Sequence, residues 1–564
     1  MKKILLALVL FGFAAELAAL ETIKISEIKP GMKGYGLTVF KGFEIEKFDV
    51  EVIDIMPRAL PDVDMILVRC SGAGLEKSKL IAGMSGSPIY LEDKLAGAIA
   101  YTWSFQQEPV AGVTPIQNMI EATTKNLKPG LAASADSSKD LGLNPALKPV
   151  GCPILVSGLE PSLFPEARKI LEQFNLGPVT TGGGRAKDLG APQKLEPGSA
   201  VGVELITGDL DIAAVGTATM VEGNTVLAFG HGFFNGGAVS LPLALAKVNT
   251  VIASSLLSFK LASTVREVGT LFGDFPAAVS GRLGQKAEMI PVQVSVKNLA
   301  TLNEKSYRYQ IADHPVLTLN MLQLALLQSV LRAGAISENA TVNLDMNLSL
   351  QGYPEKIHYQ DKFALSRGSF SGEYLIPAVI FANNPYKKIK FSGFEFNLEV
   401  KPGWELAEIK SVWANKMELS PGDSVTIGVR LRKYQGEEFE KVINFKIPMD
   451  AQGGISLNIM GGSQMPLDIA APESIDDLIN VFKKVPSPTW LVVQYQQPGV
   501  IVDYQGERMR GLPPSAQALF SGWANTEARR SPDFAYLTFD MPYIIKGAGA
   551  LRFLIKPETE RGKK

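Results

Sequence analysis

Short β-rich runs, each closed by Gly, Pro or Asp, set the first constraint on what this chain can fold into. From Gly31 to about Glu121 they read "KGYGLTVF", "FEIEKFDVEVIDIM", "DMILVRC", "SPIYLED", "KLAGAIAYTW" and "AGVTPI". β-branched and aromatic runs at this spacing, punctuated by turn formers, predict strands. Six such strands in about ninety residues are enough for a small closed barrel. A tight hairpin is expected across Glu92-Asp93.

The pattern breaks over residues 125–199, which are Pro- and Ser-rich with one amphipathic segment, "PEARKILEQF", and read as a connector. Its "TTGGGRAK" stretch lacks the Lys-Ser/Thr of a phosphate loop and reads as a flexible linker. A second strand-rich block, 200–300, predicts a second barrel of about six strands. A dense apolar helix over 317–335 opens a helix-plus-β module at 301–400. "LSPGDSVTIGVRLRKYQGEEFEKVINFKIP" resembles an immunoglobulin-like hairpin, placing an Ig-like sandwich module at 401–465 and an α+β module at 466–564. With residues 21–124 as the first barrel, the expected class is mainly β: two six-stranded barrels with an inserted connector, followed by β-sandwich modules.

Charge narrows the partners. The 56 basic and 57 acidic residues nearly cancel, so no basic surface of domain size is expected and nucleic acid is an unsuitable partner. Lys2 and Lys3 precede an apolar run from Ile4 to Leu20, with Ala18 and Ala19 at its end. This layout predicts a secretory signal over residues 1–20 and export to the periplasm or envelope, with a membrane anchor if the segment is uncleaved. Cys70 and Cys152, the two cysteines of the chain, do not make a disulfide framework, and Cys70 closes an apolar strand as a buried thiol. No metal or cofactor motif is present.

Chemistry concentrates in "GMSGSP", residues 83–88. Gly83 and Gly86 allow a sharp turn that exposes the Ser85 hydroxyl and can aim the amides of Gly83 and Ser85 at one point, as an oxyanion hole requires. The strand beyond it, with Ala100, Tyr101, Thr102 and Trp103, would offer an edge for an extended peptide. A histidine between glycines, in "GHG" at 230–232, suits an imidazole facing a site. His314 reads as a capping or surface residue and His358 as structural.

The loop resembles the "GDSGGP" nucleophile motif of trypsin-like peptidases at Gly83, Ser85, Gly86 and Pro88. It is more closely similar to that of the sporulation stage IV B (SpoIVB) serine peptidase family. The resemblance covers residues 31–298 and implies a double-barrel endopeptidase with Ser85 as nucleophile and His231 as general base. It also implies an acid, for which Asp274 is the first candidate and Asp64 a further one. The stretch before Ser85, where the family carries an acidic residue, offers only Glu76 here. Two further departures are the order of the groups, with Ser85 before His231, and the lack of an evident PDZ module. The implied substrates are a restricted set of envelope or signalling proteins, with no cofactor. The C-terminal β modules would engage an envelope partner. An inactive peptidase-like scaffold for envelope binding or assembly is the alternative. An esterase would need a "GxSxG" elbow, and "GMSGS" lacks its last glycine.

Overall fold

A computed structural model describes residues 21–60, 63–103, 106–124, 147–172, 179–181, 184–188, 190–334, 339–366, 372–467, 470, 472–505, 507–520 and 528–556. The expected signal segment and the 125–146 part of the connector lie outside them. The chain divides into two compact units. One comprises Met1–Ser157, Arg168–Glu204 and Ile212–Ala287; the other comprises Gly158–Ala167, Leu205–Asp211 and Glu288–Lys564.

In the first unit, β1 (Lys33–Lys41), β2 (Glu44–Leu60), β3 (Val63–Ser71), β4 (Ile81–Ala82), β5 (Pro88–Leu91), β6 (Lys94–Trp103), β7 (Val110–Pro115) and β8 (Leu147–Pro149) follow the expected rhythm. The order β5-β1-β2-β3-β7-β6 closes through a β5–β6 pairing, giving the six-stranded barrel that the sequence predicts. Its core is Phe48, Val50, Val52, Ile66, Val68, Ile89, Leu91, Ile99 and Val113. The predicted hairpin is present: Leu91 pairs with Lys94, and Glu92 and Asp93 both take left-handed backbone (φ 51° and 60°). That is the twist-matched two-residue turn. β8 adds to the outside of the barrel on β6.

The chain continues through β9 (Ile154–Ser157), β10 (Val179–Thr181), β11 (Ala200–Gly208), β12 (Asp211–Glu222), β13 (Thr225–Ala228), β14 (Gly237–Ile252), β15 (Ser258–Phe275) and β16 (Ala278–Leu283), all in the first unit except Leu205–Asp211. The path β12-β13-β16-β15-β14-β11 returns to β12, so these strands form a closed ring within a larger sheet. β14 has 16 residues and β15 has 18, so both exceed the usual strand length. β4, just before "GMSGSP", pairs in parallel with the start of β15. That link fixes the loop's base against the ring.

In the second unit, Met289–Asn298, counted in sequence with the second block, pairs with Glu304–Ala312 and Phe391–Pro402. Phe391–Pro402 pairs in turn with Asn339–Leu350. The predicted apolar helix forms as Leu317–Arg332 and is largely buried. His314 caps it, with Nδ1 accepting the N–H groups of Val316 and Leu317. Further on, a four-stranded and a six-stranded sheet share one core that includes Ile427, Phe445, Leu457 and Phe553. Strands from both sides of residue 465 contribute to it: Gly453–Gly461 pairs with Trp490–Tyr504 and Ala548–Ile555.

Candidate active site

The loop after β4 is held by side chains and backbone of the ring. The hydroxyl of Thr217 donates to Gly83 O (2.8 Å), that of Thr219 to Gly86 O (2.7 Å), and the Thr217 N–H to Ser85 O (2.9 Å). Gly86 is in left-handed backbone (φ +93°), and a Cβ there would stand 2.1 Å from Thr217 O. Only glycine fits that approach. Clamping both carbonyls that flank Ser85 fixes the direction of its side chain.

His231 comes from the segment after β13. Phe229 and Gly230 have φ of 68° and 67°, a double left-handed bend that lifts the imidazole out of the strand line. The hydroxyl of Thr114 holds that bend through Gly230 O at 2.7 Å. Ser85 Oγ and His231 Nε2 meet at 2.5 Å, although 146 residues separate them. On the other side of the ring, Nδ1 lies 2.9 Å from Gly232 O. A carbonyl can only accept, so the Nδ1–H tautomer is assigned from this contact and Nε2 presents its lone pair to Ser85. The hydroxyl proton has a second acceptor in Phe229 O, at 2.6 Å. Burial lowers the imidazole pKa from 6.5 to about 4, opposed by the hydrogen bond to Gly232, so the ring is neutral at physiological pH. A neutral imidazole with a free Nε2 lone pair can take the proton of an attacking hydroxyl.

Asp274 does not complete this pair. Its carboxylate accepts the N–H groups of Phe233 (2.7 Å), Phe234 (2.7 Å) and Gly236 (3.3 Å). It is almost fully buried, and desolvation raises its pKa against the pull of those N–H groups. It anchors the loop that follows His231, while a backbone carbonyl orients the ring. Asp64 sits at the β2–β3 hairpin, accepting the Arg58 N–H, and Glu76 accepts the Gly72 N–H.

The two expected oxyanion donors differ in state. The Ser85 amide donates to no acceptor among the described residues, whereas the Gly83 N–H donates to Gly151 O at 3.0 Å. Ala100 and Tyr101 lie beside the His231 segment: Gly230 abuts Ala100, and the Tyr101 ring is 6.3 Å from the imidazole. Thr102 and Trp103 continue the same strand, where β8 pairs with residues 101–103. Ser85 is 0% exposed and His231 3%.

Sequence reasoning missed three contributors. Lys260 is fully buried behind the loop, donating to Thr38 Oγ1 at 2.7 Å, and burial lowers its pKa to about 7. Its signal was its place on the inward phase of β15, where Ser258 and Ala262 are also buried. Cys152 is a free, buried thiol whose pKa burial raises, against a lowering pull from Ser85 and Lys260. Cys70, also free, is pushed up to about 12 by burial. The third contributor, the Gly232 carbonyl, left no trace in composition.

A serine hydroxyl hydrogen-bonded to the lone pair of a neutral histidine is an arrangement that serine hydrolases on several unrelated folds share. Residues 15–120 match the family model SpoIVB peptidase S55. The S55 match spans all seven strands from β1 to β7 and includes Ser85; it ends before His231 and Asp274. No curated protein and no solved structure matches the chain.

Proposed function

We propose that the chain is a serine endopeptidase of the SpoIVB type, exported and acting on a restricted set of envelope or signalling proteins. The observation that carries the reading is the 2.5 Å contact between Ser85 Oγ, inside the S55-matching region, and His231 Nε2, which lies beyond it. In the proposed reaction Ser85 Oγ bonds to the scissile carbonyl carbon while its proton passes to His231 Nε2. The resulting imidazolium is held by Nδ1–H donation to Gly232 O, and the oxyanion is met by the amides of Ser85 and Gly83. Breakage of the C–N bond takes the proton from Nε2 to the leaving amine, and water then hydrolyses the acyl-enzyme by the same relay. Asp274 is a positioning residue in this scheme, since it acts through the loop.

Labelling of the purified chain by a fluorophosphonate tests the reading. The label is expected at Ser85 and lost in both Ser85→Ala and His231→Ala. The burial of Ser85 and the engaged Gly83 amide favour a second reading, a binding or assembly scaffold built on a silent site. That reading predicts an unchanged cellular phenotype in Ser85→Ala.

A further inference from the structure

One short segment occupies the positions that a bound peptide would need. Lys148 pairs with Thr102 and Pro149 with Tyr101, antiparallel on β6, and the Val150 N–H donates to Ala100 O at 2.8 Å. Gly151 then bends the chain (φ +85°) and its carbonyl accepts the Gly83 N–H, one of the two expected oxyanion donors. Cys152, a buried free thiol, follows. Edge pairing and one expected oxyanion amide are therefore both taken by residues 147–151. Leu147 packs with Met65, Ala100, Tyr101 and Trp103, and Val150 joins the barrel core.

We propose that residues 147–152 are a built-in pseudosubstrate, which keeps the site latent and displays the peptide the groove prefers. The proposal rests on the peptidase reading above. Strand addition to a sheet edge is a general mode of peptide recognition: main-chain bonds supply affinity and alternate side chains supply specificity. Here the buried positions, Leu147 and Val150, define two apolar subsites, and the glycine after them faces the loop. The class of substrate is thus an extended segment with aliphatic residues three apart, followed by a glycine or another small residue. The occupant resists its own cleavage by shape. A substrate carbonyl arrives from extended backbone, whereas Gly151 presents its oxygen from a left-handed bend that an L-residue rarely adopts. Activation then consists of displacing the segment, which frees the Gly83 amide and the β6 edge together.

The test compares the rate of fluorophosphonate labelling at Ser85 in the full chain with that in Val150→Asp, which places a charge in an apolar subsite, and in Gly151→Ala, which disfavours the bend. Cooperative thermal unfolding establishes that each variant is folded; the second variant serves if the first does not fold. At least a tenfold faster labelling is expected in either folded variant. A synthetic Leu-Lys-Pro-Val-Gly-Ser peptide should slow labelling of the opened variant and leave the wild type unchanged. Equal rates in wild type and folded variants would overturn the pseudosubstrate and leave the peptidase reading standing. Absence of label at Ser85 in every folded form would overturn both.

Discussion

His231 takes its ring orientation from the carbonyl oxygen of Gly232, its own neighbour, across 2.9 Å. In a Ser-His-Asp triad that place belongs to a carboxylate, which both fixes the tautomer and stabilises the imidazolium. A carbonyl supplies the first service fully and the second only as a dipole. Gly232 O takes that place at His231 Nδ1, and the Asp274 carboxylate accepts backbone N–H groups of the loop that follows.

Asp274→Asn separates these roles. A triad acid lost to Asn costs roughly 10⁴ in turnover through the wrong tautomer. Here the tautomer is set by Gly232, so Asp274→Asn should retain much more activity and leave the acid limb of the pH–rate profile in place. It should still lower stability, by about 1–3 kcal/mol, because charge-assisted bonds to buried amides weaken. Paired kinetics and denaturant unfolding check this; a 10⁴-fold loss with a shifted limb would restore Asp274 to the triad.

Ser85→Ala and His231→Ala should each lose about 10⁶ in turnover, and the double variant no more, since the two groups act as a unit. Ser87→Ala is the contrast. Ser87 Oγ is buried without a hydrogen-bond partner among the described residues, so its removal should keep activity and raise stability by about 1 kcal/mol. Turnover of one peptide by the four variants decides the matter.

The pH dependence follows from the imidazole. The base must be neutral, and its pKa in the fold is lowered to about 4, so kcat/KM should hold through pH 5 and fall with a midpoint near 4. Stability has the same sign. The unfolded chain binds the proton at 6.5 and the fold does not until about 4, so the contribution is complete above 6.5 and is lost as pH falls towards 4, at about 1.4 kcal/mol per pH unit. His231→Ala should remove that slope from unfolding measured between pH 4 and 7. A rate midpoint near 6.5 would mean a hydrated, open ring.

Lys260 predicts a second pH window. Burial holds its pKa at about 7 in the fold against 10.5 when exposed, so the unfolded chain carries the extra proton between those values. Stability should rise with pH across that interval. Lys260→Met should flatten the rise and increase stability at pH 7. Thr38 and Thr217, 3.4 Å apart, remain able to hydrogen-bond each other. Melting temperatures from pH 7 to 10 for both proteins measure the difference.

By itself the sequence determined the strand rhythm of the first barrel, the Glu92-Asp93 turn, the apolar helix at 317 and the serine and histidine between their glycines. All of these are local: alternation, turn chemistry and conformational freedom are written in neighbouring residues. Only the tertiary structure decided that Ser85 and His231 touch, that Gly232 and not Asp274 orients the ring, and that Gly151 takes up the Gly83 amide. Those are contacts of backbone carbonyls and amides, which every residue carries alike, and of a lysine whose burial depends on what folds over it. No residue type announces such a contact, because it exists only once strands distant in the chain have closed into one barrel and one ring.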